Sequence, residues 1–118
     1  MKAYSRADRI AEEIRKTVGG HWDAEMAEHS PGMVTFTYVR LSKDLRHATI
    51  YYSFLSKEEN NEAVADYIQA KSKQLRQVVG SQLRVRHVPE LTFKYDPSIQ
   101  EGVRIEQLLN EIKSDKRE

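Results

Sequence analysis

The sequence contains no cysteine among its 118 residues. Disulfides, thiolate metal sites, iron–sulfur clusters and a thiol nucleophile are thereby excluded, and the lack fits a reducing compartment. No apolar run approaches the ~20 residues of a membrane span. The amino-terminal MKAYSRADRIAEEIRK has no unbroken apolar stretch, so a secretory leader is not expected. The five glycines, at 19, 20, 32, 80 and 102, are too scattered to cradle a phosphate together. No G-x-S-x-G, P-loop, G-x-G-x-x-G or H-E-x-x-H is present. His21, Asp23, Glu25 and His29 lie close in sequence. Without a thiolate and beside a Ser-Pro-Gly break, they read as a solvated acidic helix end rather than a metal centre. No catalytic constellation emerges, so no enzyme and no cofactor are expected.

What is present is an ordinary globular composition, 39% hydrophobic and 31% charged. Its length suits one domain able to bury roughly 65% of its unfolded surface. Residues 1–113 read as that domain and 114–118 as a short charged tail. Ser5 is a plausible N-cap with Asp8 as its capping-box partner. Ile10, Ile14, Val18, Trp22 and Met26 recur every four residues, the buried stripe of a helix running to about Ala27. Gly19-Gly20 weakens that helix without dividing it, and Ser30-Pro31-Gly32 ends it. Met33 to Leu41 is apolar in both parities, as a central strand would be. Ala48, Ile50, Tyr52 and Phe54 give a second strand with one apolar face, antiparallel to the first across a short turn.

From Asn60 to about Leu83 the period is helical again. The stripe lapses at Lys71 and Ser72, which predicts a kink near residues 70–73. Leu91, Phe93 and Tyr95 mark a third strand after Val88-Pro89, and the helical crossover allows it to pair in parallel. Ile105, Leu108, Leu109 and Ile112 outline a last amphipathic helix. Three strands with crossing helices bury one sheet face, an α+β arrangement of two layers.

The net charge of +1 hides segregation. Residues 17–33 carry Asp23, Glu25 and Glu28 without lysine or arginine, and residues 58–70 carry Glu58, Glu59, Glu62 and Asp66. Residues 71–94 carry Lys71, Lys73, Arg76, Arg84, Arg86 and Lys94 against Glu90. Residues 34–57 carry Arg40, Lys43, Arg46 and Lys57 against Asp44. Such blocks can fold into one basic and one acidic face, or remain ordinary solvated surface. Most aromatics sit at core parity, so any RNA contact would rest on phosphates and shape and depend strongly on salt.

The order helix–strand–strand–helix–helix–strand is that of a type II KH domain. Ser42-Lys43-Asp44-Leu45-Arg46-His47-Ala48, with Tyr51 and Ser53-Phe54-Leu55, resembles the first hairpin of the bacterial ribosome-binding factor A family. Leu83-Arg84-Val85-Arg86 and Val88-Pro89-Glu90-Leu91-Thr92-Phe93-Lys94-Tyr95-Asp96 resemble its third strand, and Glu101-Gly102-Val103-Arg104-Ile105 with Leu108-Leu109 continues it. Arg6-x-x-Arg9-Ile10 and Pro31-Gly32-Met33 also fit, so the likeness spans about residues 5–112.

The resemblance implies a KH-like fold, helix–strand–strand–helix–kink–helix–strand plus a C-terminal helix, with a three-stranded mixed sheet covered by helices on one face. It implies a non-catalytic, cytoplasmic, monomeric assembly factor. Such a factor binds the immature small (30S) subunit, assists late 16S rRNA processing, matters most in the cold, and leaves with the help of a maturation GTPase. No membrane association is implied. The family's Ala-x-Gly kink is replaced here by Lys71-Ser72-Lys73, and the acidic C-terminal extension of some relatives is missing or very short. The RNA contacts expected are Lys71, Lys73, Arg76, Arg84 and Arg86, with Arg6, Arg9, Lys43 and Arg46 as second choices. The alternative is a protein–protein adaptor that works through the acidic blocks without touching RNA.

Overall fold

Ser5 opens the first helix as its sequence predicts. Its hydroxyl accepts from the Asp8 N–H (3.1 Å), and the Asp8 carboxylate accepts from the Ser5 N–H (3.1 Å). Such a cap contributes about 1 kcal/mol. The computed structural model describes residues 5–55 and 61–97. The C-terminal helix and tail expected beyond Pro97, and the charges at 57–59, lie outside the described residues.

Helix α1 spans Arg6–His21, continues as a wider π-helical turn over Trp22–Met26, and closes as a 3-10 turn over Ala27–His29. The stripe explains the change of winding. A strict four-residue repeat drifts by about 40° per step around an ideal helix. A π turn absorbs one extra residue, so Trp22 and Met26 still face the core. The Ala27 N–H accordingly donates to the Trp22 carbonyl, five residues back. Gly19 and Gly20 lie inside the helix, as expected.

Strands β1 (Met33–Leu41), β2 (His47–Leu55) and β3 (Glu90–Tyr95) form a sheet in the order β1-β2-β3. The first pair is antiparallel and the second parallel, so the sheet is mixed. The expected central strand is therefore corrected: β1 is an edge and β2 the centre. The register shifts between Phe36 and Tyr38, so Thr37 is an extra residue. That bulge switches the parity of β1. Val34 and Phe36 face inward before it and Val39 after it, which is why both parities carry apolar residues.

Helix α2 spans Asn61–Gln82. It corrects the expected kink, because it runs without interruption through residues 70–73. Lys71 sits half-buried with its ammonium 5.6 Å from the centroid of the Tyr67 ring, and the Ser72 hydroxyl donates to the Gln69 carbonyl at 2.8 Å. A lysine stem can cover apolar surface while its head stays in water. The stripe thus lapses in hydrophobicity but not in packing.

Both helices cover the inner face of the sheet, built from Val34, Phe36 and Val39, Ala48, Ile50, Tyr52 and Phe54, with Leu91, Phe93 and Tyr95 packed against them. Trp22, 1% exposed, meets Phe36 and Tyr67 edge-on at 5.3 and 5.4 Å. The Tyr67 hydroxyl donates to the Met26 carbonyl (2.8 Å), tying the end of the first helical segment to the amino-terminal half of α2.

Candidate nucleic-acid interface

One end of the sheet is shaped by the turn between β1 and β2. The Leu45 N–H donates to the Ser42 carbonyl (2.9 Å), and Leu45 then takes a left-handed φ of 63°. Such a conformation is uncommon for a residue with a Cβ and costs about 1–3 kcal/mol. Asp44 offsets it: Oδ1 accepts from the Ser42 hydroxyl (2.6 Å) and from the Arg46 N–H (3.1 Å). These bonds, the hydroxyl's first, hold the Asp44 carboxyl below its usual range. The turn delivers Arg46 and His47 to the start of β2, and the Glu90 N–H donates to the Arg46 carbonyl at 2.8 Å.

The connection between α2 and β3 forms the opposite wall. Gly80 lets it approach, because a Cβ there would lie 2.9 Å from Val88 Cγ2. Arg76 holds it: Nε donates to the Pro89 carbonyl (3.2 Å) and an Nη to the Val88 carbonyl (3.1 Å). Arg76 therefore positions the connection as well as supplying charge.

Between these walls lies an open cleft of about 820 Å³ lined by Arg46, His47, Lys73, Arg76, Arg86, His87 and Glu90, together with Gln77, Gly80 and Val88. Four permanent cations face one carboxylate. Among the described residues no carboxylate pairs with Arg46, Lys73, Arg76 or Arg86; Glu90 lies 3.8 Å from His47 Nδ1. A smaller hollow of about 260 Å³ adjoins the cleft and shares Arg86 and His87 with it. Arg6, Ile10, Leu41, Asp44, Leu45, Val85 and Pro89 complete that hollow.

Five of the nine expected contacts thus converge on this end: Arg46, Lys73, Arg76 and Arg86 in the cleft, and Arg6 beside it. Arg9, Lys43 and Arg84 are exposed but line neither cavity, and Lys71 lies over Tyr67. Alternation suggests that Arg84 and Arg86 act as a pair, yet only Arg86 reaches the cavities. Sequence reasoning misses His47, His87 and Gly80. Arg46-His47 and Arg86-His87 are adjacent Arg-His pairs, a signal that the sequence does carry.

Asp23, Glu25 and Glu28 are exposed on the segment that Tyr67 binds, and Glu62 and Asp66 are exposed on the first turns of α2. These five acidic side chains line neither cavity. Among the described residues no group of three or more histidines and carboxylates could hold a metal ion. No described helix is long and apolar enough to cross a membrane.

Comparison with known proteins gives one consistent answer. The model of the family described as ribosome-binding factor A matches residues 6–109. The chain is 41% identical over 112 residues to ribosome-binding factor A of Geobacter metallireducens, covering 95% of both chains. It is 36% identical over 107 residues to that of Natranaerobius thermophilus, covering 91% of this chain and 82% of the relative. Its fold matches the crystal structure of ribosome-binding factor A from Thermus thermophilus with a TM-score of 0.64 at 21% identity, covering 77% of this chain and 97% of the other. The solution structure of a Thermotoga maritima protein described as a ribosome-binding factor A matches with a TM-score of 0.64 at 28% identity, covering 80% and 90%. A Thermus thermophilus homology model fitted into a cryo-EM map of a 30S complex matches with a TM-score of 0.64 at 19% identity, covering 79% and 97%.

Proposed function

The chain belongs to the ribosome-binding factor A family, and from that premise we propose that it is a non-catalytic assembly factor of the small ribosomal subunit. A Thermus thermophilus protein of the same fold has been fitted into a 30S complex, which supports the subunit as the partner here. The observation that carries the reading is the cleft. Arg46, Lys73, Arg76 and Arg86 come from three separate stretches, converge, and form no salt bridge among the described residues, Asp44 acting on Arg46 only at longer range.

Guanidinium forks and a lysine point charge so placed match the phosphates of folded RNA. The work is done by binding energy. The protein favours one conformation of immature 16S rRNA by its differential affinity for it, and leaves when maturation, aided by a GTPase, removes that surface. Cold strengthens the need, because misfolded RNA escapes its traps more slowly. Arg84, Arg9, Lys43 and Lys71 serve as peripheral charges.

Co-sedimentation with purified small subunits across a salt series tests this. About six phosphate contacts predict a log–log slope near −5. A flat salt response would favour an adaptor that docks on protein through the acidic end. Chemical footprinting of the rRNA with and without the protein then locates the contact.

A further inference from the structure

The hollow beside the cleft differs from it in chemistry. Its walls are apolar, from Ile10, Leu41, Leu45, Val85 and Pro89, and its polar groups are Asp44, Arg6, Arg86 and His87. Five of its nine lining residues are apolar, surface that a phosphate does not use, so the hollow is not one more backbone contact. Yet Arg86 and His87 line both spaces, so an occupant of the hollow lies next to whatever lies on the cleft.

We propose that the hollow seats a single unpaired guanine of the RNA whose phosphates lie along the cleft. The inference rests on the RNA-binding reading above and deepens it. Unstacked bases are recognised by apolar or aromatic walls and by hydrogen bonds to their edges. A space of about 260 Å³ suits one planar base. Asp44 Oδ1 is occupied by the Ser42 hydroxyl and the Arg46 N–H, while Oδ2 has no partner among the described residues. Guanine offers donors at N1 and N2 to such an oxygen, and acceptors at O6 and N7 to a guanidinium such as Arg6 or Arg86. Adenine, cytosine and uracil each lack part of that combination. The turn that gives Leu45 its left-handed backbone brings the Leu45 and Asp44 side chains to the same hollow.

The test uses the full chain and five RNA duplexes that differ at one bulged position: guanosine, adenosine, cytidine, uridine or an abasic ribose. The guanosine duplex should bind roughly 10- to 100-fold more tightly than the abasic one, with the other three between. Its addition should shift the methyl resonances of Ile10, Leu45 and Val85, and the abasic duplex should leave them in place. Val85→Trp fills the hollow and should erase the guanosine advantage without changing abasic affinity. Lys73→Glu, in the cleft, should weaken all five in parallel and keep their ratios. Equal, salt-dependent binding of all five overturns the guanine seat and spares the RNA-binding reading. Failure of every duplex and of the subunit to bind overturns both. If Val85→Trp weakens subunit binding and leaves all five duplexes unchanged, the hollow takes a ribosomal protein and the seat is overturned.

Discussion

The two ends of the molecule are built from the same two helices and differ in sign. Helix α2 changes sign along its length, from Glu62 and Asp66 to Lys73 and Arg76. Helix α1 is mixed, with Arg6, Asp8, Arg9, Glu12, Glu13, Arg15 and Lys16, and only the turns after it, with Asp23, Glu25 and Glu28, are purely acidic. The start of α1 lines the hollow, and the end of its helical segment is bound by Tyr67 near the start of α2. Among the described residues the cleft is therefore richer in cations and the end bound by Tyr67 richer in carboxylates than the net charge of +1 suggests. The ends also differ in what holds them. Around the acidic end the anchor is an aromatic cluster on Trp22; around the basic end it is a set of hydrogen bonds to loops. Packing secures the first and polar geometry the second, so substitutions at the two ends should separate stability from binding.

The largest expected effect is at the acidic end. Trp22→Ala removes a buried indole between Phe36 and Tyr67 and should cost about 3–5 kcal/mol of stability by denaturant unfolding. Trp22→Phe should cost less, because the buried indole N–H has no partner among the described residues. Next comes the cleft. Lys73→Glu with Arg86→Glu should weaken subunit binding roughly 100-fold and reduce the salt slope by about 2, at nearly unchanged melting temperature. Glu62→Lys with Asp66→Lys should leave subunit binding within roughly threefold, and a larger loss would assign the acidic end to the interface.

Arg76 should blur the contrast. Arg76→Met removes both a cleft charge and the bonds to the Val88 and Pro89 carbonyls, so stability should fall by about 1 kcal/mol together with affinity. Lys73→Met should lower affinity alone.

The smallest effect is a pH response of the basic end. Asp44 has a lowered carboxyl pKa in the folded chain. Its stabilisation of the turn is therefore complete above the ordinary carboxylate range and is lost as pH falls through the lower folded value. The Arg46 amide resonance should report that step below the ordinary aspartate range, and Asp44→Asn should abolish it.

Much of this arrangement could be read from the residues. The Ser5–Asp8 cap, the helix passing through Gly19-Gly20, the hairpin and the parallel return of Leu91–Tyr95 were legible because each depends on local periodicity or on connection length. Two misreadings have a common origin. A bulge at Thr37 made an edge strand look doubly apolar, and Lys71 over Tyr67 made a continuous helix look broken. In both, one residue departs from the ideal repeat and the rest compensate, which pattern counting cannot register. The site was half legible. Charge blocks indicated a basic face, yet the convergence of Arg46 with Arg86 depends on the β2–β3 register, and Gly80 matters only through its distance to Val88. Arg84 and Arg86 fell apart as a pair because the segment around them is not a strand.

The parallel pairing of β2 with β3 sets a timetable for folding. The β1–β2 hairpin closes through a tight turn, a microsecond event for such elements. Strand β3 must wait for the whole of α2 to be placed, since His47 meets Glu90 only across that helix. Both cavities draw on residues from that last stretch. A nascent chain therefore completes neither cavity until the connection into β3 has emerged and settled beside β2, and a copy cut short before it lacks both.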